Sequence, residues 1–214
     1  MNPVTDLLAD ALARSLPPRL SHYTNGRALI SILEKNELWA TQISYMNDSQ
    51  EYNYIYTLTR ELIRWRDPEL CALAQQQPEL TLQLLDALGP RWSNPPVCYV
   101  VSLTAGNDNL NLWRAYTSPG DGYSIAFRSQ HLREQATRQG WVLAPIVYGD
   151  SARRYVSEIL RRAYSDFAAS KFGAREVTDR VNEDFERIAP FVKHQAFADE
   201  NEWRIVLETN KSGL

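Results

Sequence analysis

The fold of this chain is decided by the stretch VCYVVSL at residues 97–103, which follows the turn-forming residues Asn94-Pro95-Pro96. The stretch is dense in β-branched and aromatic residues, and that composition favours a strand. Because it is apolar almost throughout, we expect the strand to be buried on both faces. It is the strongest strand prediction in the sequence.

Shorter strands and a set of helices flank this stretch. Further strands are predicted at residues 19–23, 37–41, 123–127, 142–148 and 202–207. Helices are predicted at residues 2–15, 26–35, 50–66, 68–77, 78–88, 130–139, 151–171 and 175–188, with one or two helical turns at 108–116. Strands and helices do not alternate strictly, which favours an α+β fold over a doubly wound sheet. We expect a single domain over residues 1–214, with an N-terminal helical extension at 1–18 and a helical insertion at 49–90.

Composition and charge argue against several classes of protein. The net charge of −3 and the pI of about 5.7 give no global basic field for nucleic acid. Two cysteines, Cys71 and Cys98, are too few for a disulfide framework and too far apart for a zinc site. The N-terminus lacks a signal-peptide pattern, and the longest apolar run, residues 97–101, is too short to cross a bilayer. We therefore expect a cytoplasmic protein with no membrane partner and no metal.

The first candidate cluster is His22-Tyr23-Thr24, at the end of a strand that leads into a helix. Strand alternation places His22 and Thr24 on one face and Tyr23 on the other. A histidine can donate from one ring nitrogen and accept at the other, which suits contact with a ribose hydroxyl. The plain alternative is a strand-end histidine satisfied by the backbone.

The second cluster is Trp113, Arg114 and Tyr116, in the predicted helical turns. Trp113 and Tyr116 are neighbours at i,i+3, and Arg114 points away from them. Two aromatic rings offer a stacking surface for a flat ring, and a guanidinium fits a phosphate. The alternative is an aromatic pair in the core beside a solvated arginine.

The third cluster combines Glu200 with the strand EWRIVL at residues 202–207. Glu202 and Arg204 share one face of that strand, and Trp203 and Ile205 share the other, which is the core face. Glu202 is therefore expected to face solvent or a cleft, in a loose ion pair with Arg204. The alternative is a surface ion pair with a purely structural role.

Two arginine pairs lie in the predicted helix at residues 151–171. Arg153-Arg154 and Arg161-Arg162 are predicted to spread around that helix as a solvated face. The sequence therefore assigns them no site.

Taken in order, several segments form one combined pattern that is more specific than any of its pieces. The segments are His22-Tyr23-Thr24, Trp39-x-Thr41, Tyr45-Met46-Asn47-Asp48, Ser102, Trp113-Arg114-Ala115-Tyr116, Gly122-Tyr123-Ser124-Ile125-Ala126-Phe127, Val147-Tyr148 and Lys193-His194 with Phe197, Glu200, Glu202, Trp203 and Arg204. This pattern resembles a bacterial family known as domain of unknown function 2971. The resemblance runs from about residue 20 to residue 208, nearly the whole chain.

A second resemblance suggests an activity. A histidine on the first strand, aromatic residues in the middle and a glutamate on a late strand are similar to the layout of ADP-ribosyltransferases. The resemblance implies transfer of ADP-ribose from NAD, as co-substrate, to an unknown acceptor, without a metal. It also implies small, mostly antiparallel sheets split around a cleft, with helical insertions outside.

The same resemblance implies a role for each candidate residue. The catalytic residue would be Glu202, beside the ribose, with Glu200 activating the acceptor. The NAD-binding residues would be His22, Tyr23, Thr24, Tyr45, Trp113, Arg114, Tyr116 and Arg204. Among these, His22 would hold a ribose, the aromatic side chains would contact the nicotinamide, and Arg114 or Arg204 would hold the pyrophosphate.

Two other classes of function stay open at this stage. The first is a sensor module that binds a nucleotide or another ligand without catalysis, with Glu202 and Arg204 as a structural ion pair. The second, less favoured, is a nuclease that uses His22 or His194 as general base. The biological role, whether toxin, effector, phage-defence component or housekeeping enzyme, does not follow from the sequence.

Overall fold

The structure is a computed structural model, and it describes residues 9, 11–46, 50–88, 98–106, 108–117 and 120–208. The α-helices of these residues are α1 (Gly26–Lys35), α2 (Gln50–Glu61), α3 (Pro68–Gln76), α4 (Pro78–Ala87), α5 (Leu110–Tyr116), α6 (Ser129–Arg138), α7 (Gly149–Ala168) and α8 (Ala174–Ile188). The strands are β1 (Arg19–Thr24), β2 (Thr41–Gln42), β3 (Cys98–Thr104), β4 (Tyr123–Arg128), β5 (Val142–Pro145), β6 (Val147–Tyr148), β7 (Val192–Lys193) and β8 (Glu202–Glu208). Helices combined with an antiparallel sheet confirm the predicted α+β class.

The described residues form two compact units. We call them the sheet unit, residues 11–46, 98–146 and 196–208, and the helical unit, residues 50–88 and 147–195. The stretch predicted as a helical insertion, 49–90, is largely helical over residues 50–88 and belongs with α7 and α8 to the helical unit. The single domain stays a prediction. Of the predicted N-terminal extension, residues 11–13 are helical, and residues 1–8 and 10 lie outside the described part.

The sheet unit is built on one six-stranded antiparallel sheet, with strands in the order β4-β1-β3-β8-β5 and β2 paired beside β1 on the edge of β3. Strand β3 pairs with β8 along its whole length, from Cys98 opposite Glu208 to Thr104 opposite Glu202. The prediction of two small, mostly antiparallel sheets differs from this arrangement. The second pairing in the structure, β6 with β7, is parallel and lies in the helical unit.

One face of the six-stranded sheet forms the core of the sheet unit. The buried side chains of this core are Leu20, Val101, Leu103, Leu132, Ala136, Leu143, Trp203 and Ile205. Leu132 and Ala136 come from α6, at a four-residue spacing that places both on one face of the helix. The prediction that Trp203 and Ile205 face the core is therefore right. Burying side chains of this size typically contributes about 1.5–3 kcal/mol each, so α6 is held mainly by apolar packing.

Strand β1 separates from β3 soon after the two meet. They are in register at Ser21 and Thr104, whereas β1 stays paired with β4 over all six of its residues. The other part of the same β3 edge pairs with β2, at Tyr99 and Val100. A gap therefore opens in the sheet between the two contacts, beside Ser102.

Two predicted strands are shorter or divided in the structure. The strand predicted at residues 37–41 is reduced to β2, Thr41–Gln42. The strand predicted at residues 142–148 is divided at Ile146 into β5 and β6. Pro145 has no N–H to continue a ladder, and the N–H of Ile146 donates to the Glu202 carbonyl before the chain enters the helical unit.

The helical unit buries one face of each of its longest helices. On α7 the buried residues include Tyr155, Ile159 and Leu160, and on α8 they include Val181 and Phe185. Tyr155 and Ile159 are four residues apart, as are Val181 and Phe185, and this spacing puts each pair on one side of its helix. In the part of the chain that the structure describes, we find no helix both long and apolar enough to cross a membrane.

Candidate functional site

A cavity of about 50 Å³ lies in the sheet unit at the gap between β1 and β3. Its lining residues are Ser21, His22, Tyr23, Ser102, Leu103, Thr104, Leu112, Tyr116, Glu200 and Glu202. Because the two strands separate here, consecutive residues of both strands border the cavity. Five residues predicted from the sequence therefore meet around one space: His22, Tyr23, Tyr116, Glu200 and Glu202. The structure brings these five residues together, while the roles assigned to them stay predictions.

His22 sits at the point where the sheet opens. Its Nδ1 lies 3.0 Å from the carbonyl oxygen of Ser102, a hydrogen bond that takes the place of a strand pairing. A carbonyl only accepts, so Nδ1 is the donor, and in the neutral ring Nε2 is left as an acceptor. The alternative interpretation, a strand-end histidine satisfied by the backbone, is therefore consistent with this hydrogen bond. The same hydrogen bond also fixes the His22 ring at the edge of the cavity.

Tyr23 connects the cavity to α5. Its ring packs edge-on against Trp113, with the ring centroids 4.7 Å apart and an angle of 76° between the planes. The phenol oxygen of Tyr23 accepts a hydrogen bond from the N–H of Asn109, the residue that caps α5. Trp113 therefore packs against Tyr23 without lining the cavity itself. Tyr116, one turn further along α5, borders the cavity directly.

Glu202 and Arg204 form a buried, bidentate ion pair. Nε of Arg204 lies 2.6 Å from Oε1 of Glu202, and Nη2 lies 3.1 Å from Oε2. The side chains are 1% exposed for Arg204 and 5% exposed for Glu202. Two parallel charge-assisted hydrogen bonds hold the carboxylate in one orientation at the cavity wall.

This geometry corrects the expectation of a loose, exposed ion pair. The alternation of β8 is as predicted, because Glu202 and Arg204 lie opposite the core face. However, residues 202–206 are all buried, so the strand is covered on both faces. A buried ion pair is expensive to break, because removal of one partner leaves an uncompensated charge out of water.

The backbone of the segment that carries Glu200 is held by Thr104. The hydroxyl of Thr104, on β3, donates to the carbonyl oxygen of Glu200 over 2.6 Å and accepts from the N–H of Gly106 over 3.0 Å. Asn201 follows in the left-handed region, with φ of 45°, and turns the chain from the 3₁₀ helix Gln195–Glu200 into β8. Thr104 thus fixes the segment that carries Glu200 to the end of β3.

Replacing Thr104 by valine is expected to destabilise the protein by about 1–3 kcal/mol. Valine has nearly the same shape but leaves the Glu200 carbonyl and the Gly106 N–H without this partner. Chemical denaturation would measure the loss. Thr137→Val is the matched control, since its hydroxyl donates to a carbonyl on an exposed helix surface. Equal stability of the two variants would contradict this role for Thr104.

Other residues predicted for the site do not line the cavity. Thr24 is buried but does not border the cavity, and Arg204 contacts Glu202 rather than the cavity. Arg114 is exposed on α5, as predicted, and Tyr45 is 78% exposed in a short 3₁₀ helix. Their assignment to NAD therefore stays a prediction without support from the geometry of this cavity.

The structure adds residues that the sequence did not assign. Ser102 is the most informative, because its Oγ is buried with no hydrogen-bond partner. An unpaired buried hydroxyl is costly, and at the wall of a cavity it is available to a ligand or water. The sequence carried one signal for it, a serine in the middle of an otherwise apolar strand. Ser21, Thr104 and Leu112 gave no such signal.

A search of the described residues finds no group of three or more His, Cys, Asp or Glu side chains that could hold a metal ion.

One family model matches part of the chain. The model of a family described as protein of unknown function (DUF2971) matches residues 112–205, a little under half of the chain. The match supports the resemblance to that family and covers the chain from α5 to β8, including Glu200, Glu202 and Arg204. Neither the curated proteins nor the solved structures contain a match to this chain.

Proposed function

We propose that the cavity beside His22 is an NAD site and that the protein transfers ADP-ribose to an acceptor. One observation carries this proposal: His22, Tyr23, Tyr116, Glu200 and Glu202, which are far apart in the sequence, all border a single cavity. The ADP-ribosyltransferase resemblance requires this combination of a histidine, aromatic rings and a glutamate. A cleft of the kind found in that superfamily, here the gap between β1 and β3, is part of the same proposal.

The chemistry requires a carboxylate beside the ribose. Cleavage of the bond between nicotinamide and ribose builds positive charge on the ribose, as glycoside hydrolysis does. A preoriented negative group stabilises that charge where it develops. Glu202 is preoriented by two hydrogen bonds from Arg204, and a carboxylate has further lone pairs that can face the cavity. In this proposal Glu200, which borders the same cavity, accepts a proton from the acceptor.

The cavity must widen to admit NAD. A volume of about 50 Å³ accommodates only a few water molecules. Sites for ligands of drug or cofactor size typically measure about 300–1,000 Å³. Tyr116 and Glu200 are half-buried at the rim, so we propose that movement of these two side chains opens the site.

The proposal is tested by NAD consumption and by transfer of labelled ADP-ribose, with purified protein in the presence and absence of cell lysate. We expect wild-type protein to consume NAD and Glu200→Gln to lose about a hundred-fold in transfer, since a general base typically contributes that much. Glu134→Gln, an exposed glutamate on α6, is the matched control and should behave as wild type. Absence of NAD consumption by wild-type protein under both conditions would contradict the proposal.

A sensor that binds a ligand without catalysis is the second candidate. It is favoured by the Glu202–Arg204 pair, because a bidentate, buried pair is also what a structural role predicts. The two functions differ in one measurement. A sensor binds a nucleotide at this cavity, with loss of affinity in His22→Ala, but leaves the nucleotide intact. An enzyme releases nicotinamide.

A further inference from the structure

A second cavity, of about 330 Å³, lies in the helical unit and is surrounded by arginines. The charged residues that line it are Arg66, Asp67, Asp150, Arg153, Arg154 and Arg161. The sequence predicted the arginines of this helix to be a solvated face. Instead, three of them border one cavity together with Arg66, which comes from the π-helical turn Leu62–Arg66 that follows α2. We call this set of four the arginine cluster.

The convergence has a simple geometric cause. Arg153 and Arg161 are eight residues apart on α7, slightly more than two turns, and so lie on the same side of the helix. Arg161 is held toward the start of α3 by ion pairs of 2.7 Å to Asp67 and 2.6 Å to Glu69. Arg66, which immediately precedes Asp67, also lines the cavity, and its guanidinium pairs with Glu61.

Four carboxylates pair with the arginine cluster. Asp67 caps α3 by accepting from two backbone N–H groups and pairs with Arg161, and Glu69 also pairs with Arg161. Glu61 pairs with Arg66, and Asp150 pairs with Arg153 over 3.1 Å. Asp150 is 87% exposed and Glu69 is 65% exposed. Exposed pairs of this kind contribute only about 0–1 kcal/mol, so a polyvalent anion can displace Asp150 and Glu69 from their arginines.

Charge effects on a neighbouring tyrosine agree with this arrangement. Burial raises the pKa of the Tyr54 phenol, and the positive charges of Arg66 and Arg153 oppose that rise. Negative charge on Glu61 and Asp150 acts in the other direction. Tyr54 therefore lies within reach of the charges of Arg66 and Arg153, two members of the cluster. The ring of His194 packs edge-on against Tyr54 at 5.5 Å.

We propose that the arginine cluster binds a small phosphorylated anion with at least two linked phosphates. Guanidiniums bind phosphate oxygens in a bidentate fashion, and each has five N–H donors, so an arginine in one ion pair keeps others for a ligand. A volume of about 330 Å³ lies within the range of small-molecule sites. A long nucleic acid is disfavoured, because the chain carries a net charge of −3 and repels an extended polyanion.

The test uses the full chain and inorganic tripolyphosphate, titrated by calorimetry. We expect saturable binding that is about ten-fold or more weaker in Arg153→Gln and in Arg66→Gln, since each removes charge-assisted hydrogen bonds. Arg162→Gln, on the same helix but outside this cavity, is the matched control and should bind as wild type. Asp150→Asn removes the competing carboxylate and is expected to bind more tightly.

Three results would overturn the proposal. One is the absence of saturable tripolyphosphate binding by wild-type protein. Another is an equal loss of affinity in Arg162→Gln and Arg153→Gln, which would indicate a general charge effect. The third is binding of a single-stranded oligonucleotide through Arg66 and Arg153 while tripolyphosphate shows no saturable binding. The probe is not NAD and the variants lie in the helical unit, so failure here is distinguishable from failure of the proposed NAD site.

Discussion

Replacing Arg204 by methionine is expected to lower the free energy of unfolding by about 3–5 kcal/mol, the typical cost of breaking a buried ion pair by removing one partner. Arg204 is 1% exposed, and both of its bonds to Glu202 lie out of contact with water. Methionine fills much of the same volume, so the loss arises chiefly from the uncompensated carboxylate of Glu202. Chemical denaturation followed by circular dichroism would measure it.

A control variant and a double variant separate charge from packing. Arg162→Met removes an exposed arginine from a long ion pair with Asp166, of 3.8 Å, and should change stability by no more than about 1 kcal/mol. The double variant Glu202→Leu with Arg204→Met removes both charges, and we expect it to recover most of the stability lost in Arg204→Met. If the double variant is no more stable than Arg204→Met, the stability lost in Arg204→Met does not come from the uncompensated charge of Glu202.

Loss of the Glu202 charge is expected to lower NAD turnover by about 10²–10³-fold, the typical effect of removing one preoriented group that stabilises transition-state charge. Glu202→Gln keeps the shape and removes the charge. Because the pair with Arg204 is buried and not loose, this variant is also expected to lose stability. Activity therefore has to be measured well below its melting temperature.

The double variant Glu202→Leu with Arg204→Met separates the effect of Glu202 on stability from its effect on NAD turnover. It is expected to be folded and stable but to lack NAD turnover, because both charges are gone and the carboxylate with them. Turnover at the wild-type rate in the folded double variant would remove Glu202 from the catalytic role. It would leave Glu200, half-buried on the same cavity, as the remaining carboxylate to examine.

The directions of several site side chains could be predicted from the sequence, because strand alternation is a local property. Periodicity alone predicts that Glu202 and Trp203 lie on opposite faces of their strand, and that Arg114 points away from Trp113 and Tyr116. Burial is not local. Whether the second face of β8 meets water depends on what covers it, so the sequence pattern predicted a loose ion pair where the structure has a buried one.

Analysis of the sequence alone predicted the α+β class, the strong strands β3 and β8, most of the helices and the core face of β8, because these depend on composition and periodicity within one segment. Two features are seen only in the folded chain: the early separation of β1 from β3 that forms the His22 cavity, and the convergence of Arg66 with Arg153 and Arg161. Both depend on contacts between residues distant in the chain. A single sequence does not encode such contacts in any local pattern, since they arise only when separate segments pack together.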